Sequence, residues 1–230
     1  MITITINILD IGIILLLIMD VIVGYKRGVI KELISLLGIL LTFILSWSLK
    51  NIIGNFMCLY FPFFKFTGIF KGLSVINILF YQSIAFILVF CILLSLYEIL
   101  LKVSKHLQKI VNMTIILIIP SKILGALVGL IKGIIILFIV LLLLVIPLGK
   151  STIFEESKII NYTLYKMPIL SYYTESFINP ISEIKSIGQN VSNKNITIEK
   201  ANEESINILI KYNVIDEKTV NKLYELNKIN

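Results

Sequence analysis

Between Ile123 and Leu148 the chain carries one charged side chain, Lys132, in 26 residues. Few folds are open to such a run. About 20 apolar residues rising about 1.5 Å each span the hydrocarbon of a bilayer as a helix, in which the backbone groups satisfy one another. Within this run Gly125, Gly129 and Gly133 recur at every fourth position and so share one face. Three glycines on one face leave a smooth groove that another backbone can approach closely. Lys132 follows Gly125 by seven positions and lies almost on that face. The same pattern suits helix packing, a pore-lining helix or tolerated flexibility, and the spacing alone does not separate them.

Composition agrees. Of 230 residues, 57% are apolar and 15% charged, and the mean hydropathy is +0.96. Soluble domains run nearer about 45–50% and about 25%. The net charge of +7 is unevenly placed: residues 1–149 hold 11 Lys/Arg against 4 Asp/Glu, and residues 150–230 hold 10 of each. The basic excess thus belongs to the membrane half, where it sets orientation and meets anionic headgroups, so the expected partner is the lipid bilayer and not nucleic acid.

No Ser-His-Asp set, HExxH, P-loop or GxGxxG is present, and the single histidine, His106, stands among lysines. No catalytic residue, cofactor or metal is expected, and the chain reads as a non-enzyme. Cys58 and Cys91 have neither CxxC nor metal spacing. The start, MITITINILD, lacks a basic n-region and a small-residue cleavage site and is expected to be retained.

The expected fold class is an all-α membrane protein with four transmembrane helices, a Gly-rich fourth helix and a small helical C-terminal tail. The four-span domain is placed at 1–149, with spans at about 6–23, 29–49, 75–100 and 122–148. A short basic turn, Gly24-Tyr25-Lys26-Arg27-Gly28, makes the first two spans an antiparallel hairpin ending near Trp47. Residues 50–75 crowd aromatic side chains around Pro62 and read as an interfacial or re-entrant stretch. After the third span begins to turn polar, Lys102, Lys105, His106 and Lys109 form one stripe and Leu100, Val103, Leu107, Ile110 and Val111 another. That pattern suits either an amphipathic helix on an anionic leaflet or a charged extension of the span. The neutral tail, 150–230, reads as amphipathic pieces against the outer membrane face, followed by a helical pair in which Asn213 ends one helix and Asp216 caps the next.

Basic residues set the orientation. The first turn holds Lys26, Arg27 and Lys31, and the connection before the fourth span holds Lys102, Lys105, Lys109 and Lys122. The middle loop has Lys50, Lys65 and Lys71. The positive-inside rule then places both basic turns in the cytoplasm and both termini outside.

Two stretches together resemble a known family. The first is Asn7-Ile8-Leu9-Asp10, then Gly24-Tyr25-Lys26-Arg27-Gly28, then Lys31-Glu32-Leu33. The second is Leu124-Gly125-Ala126-Leu127-Val128-Gly129-Leu130-Ile131-Lys132-Gly133. Their order, on the first hairpin and the last span, resembles the colicin V production protein (CvpA) family of bacterial inner-membrane proteins. The resemblance covers about residues 5–150 and extends weakly to Ser157 and Pro168. It implies a four-span protein of the bacterial cytoplasmic membrane, linked to toxin production or export and to envelope homeostasis, with secretion or envelope proteins as possible partners. It does not imply a molecular activity. An accessory role and a homo-oligomeric channel or transporter-like pore lined by the glycine helix both fit; a pore requires a homo-oligomer joined through Gly125, Gly129 and Gly133.

Ionisable groups inside a bilayer face the protein interior or water. Lys132 lies 10 residues from Lys122, about 15 Å deep, and Asp20 lies six residues from Lys26, about 9 Å deep. Side chains on the fourth helix lean toward its start, so Lys132 and Asp20 are expected to form an ion pair. Asp10, nearer the outer surface, is expected to cap or hydrogen-bond the aromatic middle loop, with a proton relay as the other option. Arg27 and Lys31 are candidates for lipid phosphates.

Overall fold

The computed structural model describes residues 7–103, 118–148 and 157–229. Among them the secondary structure is helical, with no strand. The order is α1 (Ile8–Arg27), α2 (Val29–Tyr60), α3 (Ile76–Val103), α4 (Ile118–Leu148), α5 (Lys158–Tyr165), α6 (Pro168–Ser192), α7 (Ile198–Lys211) and α8 (Glu217–Glu225), with a 3₁₀ turn at Gly68–Phe70. Four stretches are long and apolar enough to cross a membrane: Ile8–Arg27, Val29–Tyr60, Ile76–Leu100 and Ser121–Leu142, with mean hydropathies of 2.4, 2.1, 2.5 and 2.8. The protein is an all-α membrane protein.

The first hairpin is tighter than the expected turn at 24–28. α1 continues through Gly24-Tyr25-Lys26-Arg27, since lysine and arginine form helix well and suit the negative end of its dipole. Gly28 alone makes the joint, at φ 78°, a conformation open to glycine. At the other end, Asn7 caps α1 by accepting the Leu9 amide at 3.1 Å.

α2 does not stop near Leu49. It runs 32 residues, about 48 Å, against a hydrocarbon thickness of about 30 Å. Nothing from Lys50 to Tyr60 breaks a helix, whereas Pro62 disfavours helix at the residue before it. The stretch expected to lie in the interface is therefore helical up to Tyr60, and Lys50 belongs to α2, where it is buried.

The residues fall into two compact units. One comprises Met1–Ile44 with Cys91–Ser171; the other comprises Leu45–Phe90 with Tyr172–Asn230. In the first unit α1 packs along α4, and Phe43 meets Phe138 edge-on at 6.1 Å. Leu15, Leu16, Leu37, Ile92 and Leu127 remain exposed, as side chains of spanning helices do when lipid is their solvent.

The second unit has a core of its own, which explains why the tail's residues from Tyr172 onward group with 45–90. Cys58, Leu73, Ile78, Ile184, Leu209 and Leu223 are buried together. The aromatic stretch is fastened by Asn77, whose Oδ1 accepts from the Phe64 amide at 2.7 Å while its Nδ2 donates to the carbonyls of Phe64 and Ser74. Lys228 donates to the carbonyls of Cys58, Leu59 and Phe61 at 2.9, 2.6 and 2.9 Å, so a cation closes the negative end of α2. Pro180 lies inside α6. Asn213 takes φ 54° after α7, and Asp216 caps α8 by accepting the Thr219 amide at 2.8 Å.

Candidate functional site

The glycine face of α4 is covered by α1 of the same chain. A Cβ on Gly125 would stand 2.5 Å from the Gly24 carbonyl oxygen, and one on Gly129 would stand 2.6 Å from that of Asp20. A Cβ on Gly133 would meet the Asp20 carboxylate at 2.8 Å. Real side chains do not occupy such space, so these glycines, with Gly24 opposite, are what lets two backbones touch. The Ser121 hydroxyl accepts the Val29 amide at 3.4 Å and ties the hairpin joint to the start of α4.

This contact gathers charge. Lys132 Nζ lies 3.7 Å from Asp20 Oδ1, and it donates a hydrogen bond to Glu32 Oε1. Arg27 Nη1 lies 3.9 Å from the other oxygen of Glu32. The Lys132 and Glu32 side chains are 5% and 0% exposed, while that of Asp20 is 27% exposed. Two carboxylates and two cations thus balance across α1, α2 and α4. A buried ion is costly unless paired, so this arrangement fixes the relative rotation of three helices inside a medium that offers no water.

Glu32 is the member that sequence reasoning missed. It follows the basic turn by four positions and resembles an ordinary first-turn acid of a helix. The signal that could have found it is the depth argument used for Asp20: Lys132, seven residues past Gly125, leans back toward the turn where α2 begins.

Asp10 also has a partner other than the expected one. The Ser157 hydroxyl donates to its Oδ1, and both residues are buried. The same Ser157 oxygen caps α5 by accepting the Ile160 amide at 3.1 Å. The first turn of α1 is thereby pinned to the first turn of α5, beyond the last span.

Lys26, Arg27, Lys31 and Lys102 are exposed, and Lys122 lies 5.8 Å over the Tyr25 ring. Lys105, His106 and Lys109 lie outside the described residues. Among the described residues no group of three or more His, Cys, Asp or Glu is placed to hold a metal ion.

Four long apolar helices, with ionised side chains paired among three of them, define a multi-pass membrane protein. The family model described as Colicin V production protein matches residues 9–168, and the chain belongs to that family. The match runs from the first turn of α1 to the first residue of α6, so it takes in Asp10, Asp20, Glu32, Lys132 and Ser157. Neither the curated proteins nor the solved structures contain a match to the chain.

Proposed function

We propose that this protein is a non-catalytic accessory of the bacterial cytoplasmic membrane that supports production or secretion of a colicin V-type toxin, or envelope homeostasis. Both basic turns face the cytoplasm and both termini lie outside. The observation that carries this reading is the use of the glycine face inside the chain: Gly125, Gly129 and Gly133 are occupied by α1, and Lys132 by Glu32 and Asp20. A helix so engaged serves as a framework, and the same glycines cannot line a pore or join subunits unless α1 is displaced. A homo-oligomer would associate through the lipid-facing apolar surfaces instead, leaving the outer segments to meet secretion or envelope proteins.

The test is ion and small-solute flux through the purified protein in liposomes, with and without osmotic stretch, beside Gly129→Ile. The expected result is no flux above that of protein-free vesicles. Flux that Gly129→Ile abolishes while the protein remains folded would overturn the accessory reading in favour of a pore.

A further inference from the structure

The second unit holds a cavity of about 420 Å³ whose lining comes wholly from that unit, including Trp47, Lys50, Asn51, Tyr172, Glu175 and Asn179. The volume is in the range of small-molecule sites, about 300–1,000 Å³, and the lining is chemically mixed. Lys50 supplies a cation; its ammonium donates to Asn51 Oδ1 at 2.9 Å and lies 4.7 Å over the Trp47 ring, which holds it at the cavity wall. Glu175 supplies an exposed carboxylate. Lys211, also on the lining, is paired with Glu183 at 3.7 Å. Tyr172 adds an aromatic face, which attracts an ammonium through the ring quadrupole. Asn51 and Asn179 add amides that can donate to an anionic oxygen.

We propose that this cavity binds a small zwitterion of the phosphoethanolamine kind, with the anionic oxygens on Lys50 and Asn51 and the ammonium against Glu175 and the Tyr172 ring. The length of α2 gives the site its level. Counted from Val29, about 20 residues cross the hydrocarbon, so Trp47 and Lys50 emerge at the headgroup layer. The zwitterion can come from there, as a phospholipid headgroup, or from the aqueous side as a free molecule. This inference does not depend on the function proposed above.

Trp47 is the chain's only tryptophan and reports on the cavity directly. The full chain, purified in a maltoside detergent, is titrated with O-phosphoethanolamine while its emission is followed. A second arm compares nanodiscs of phosphatidylethanolamine with nanodiscs of phosphatidylglycerol. The expected result is saturable binding that weakens at least ten-fold in Lys50→Gln and in Glu175→Gln, and that inorganic phosphate or ethanolamine alone reproduces only at ten-fold or higher concentration. A silent first arm with an emission difference between the two nanodiscs, erased by Glu175→Gln, supports the site and assigns it to the headgroup. No response in either arm overturns the proposal, as does a response that inorganic phosphate matches and Glu175→Gln leaves unchanged. Glu175 is exposed, so its variant decides the matter even if Lys50→Gln fails to fold.

Discussion

The ammonium of Lys132 donates a hydrogen bond to the carboxylate of Glu32, and the two side chains are 5% and 0% exposed. They come from α4 and α2, so the bond holds the last span against the start of the second. Asp20 joins from α1 at 3.7 Å but keeps 27% of its side chain exposed. Lys132 is thus the shared partner of two acids in unequal surroundings.

Removing the shared partner should cost most. Lys132→Met leaves two acids near the same apolar contact, and breaking a buried pair from one side costs about 3–5 kcal/mol. Glu32→Gln should cost more than Asp20→Asn, because the Glu32 side chain is 0% exposed and that of Asp20 is 27% exposed. Combining Lys132→Met with Glu32→Gln should recover part of the loss. Thermal unfolding of the detergent-solubilised variants measures the ranking; an Asp20→Asn cost equal to that of Glu32→Gln would show that burial does not set it.

Glycines should divide by what faces them. Gly129→Ala places a methyl group against the Asp20 carbonyl and should destabilise by about 1–3 kcal/mol, as overpacking does. Gly12 has nothing within 4 Å of an added Cβ, so Gly12→Ala should be neutral or stabilising by up to about 1 kcal/mol from helix propensity. Melting temperatures of the two variants in one detergent test the contrast.

Ser157 should matter beyond its size. Ser157→Ala removes the cap of α5, worth about 1 kcal/mol, and takes a hydrogen bond from buried Asp10, worth about 1–3 kcal/mol more. Adding Asp10→Asn to Ser157→Ala should cost little further, because the partner is already gone. A double-mutant cycle on thermal stability reads the coupling directly.

The end of the chain should loosen in acid. Burial pushes the Asp216 carboxyl up, but hydrogen bonds from the amide and hydroxyl of Thr219, its own amide and Asn55 outweigh it and hold its pKa below the ordinary value. A group depressed in the folded state stabilises it above the unfolded pKa of about 4. That contribution disappears as pH falls through the lower, folded value. Protection of the α8 amides, taken relative to the intrinsic exchange rate at each pH, should therefore fall below about pH 4 in the native chain, and Asp216→Asn should show the weaker protection already at neutral pH.

The spans, the glycine face and the nearness of Lys132 to Asp20 were legible in the sequence because they follow from local periodicity. Hydropathy marks a span, spacing by four marks a face, and rise per residue gives depth. Asp216 as a cap was legible for the same reason, since capping depends on neighbours in the chain. Tertiary structure decided the rest. Glu32 pairs with Lys132 from 100 positions away, and Ser157 reaches Asp10 across 147; no local pattern distinguishes these from a first-turn acid and a surface serine. α2 outruns the membrane because only Pro62 stops it. The residues from Tyr172 onward gather with 45–90 because their apolar faces are buried in one core. Burial is set by which faces meet, and a sequence states the faces without stating their partners.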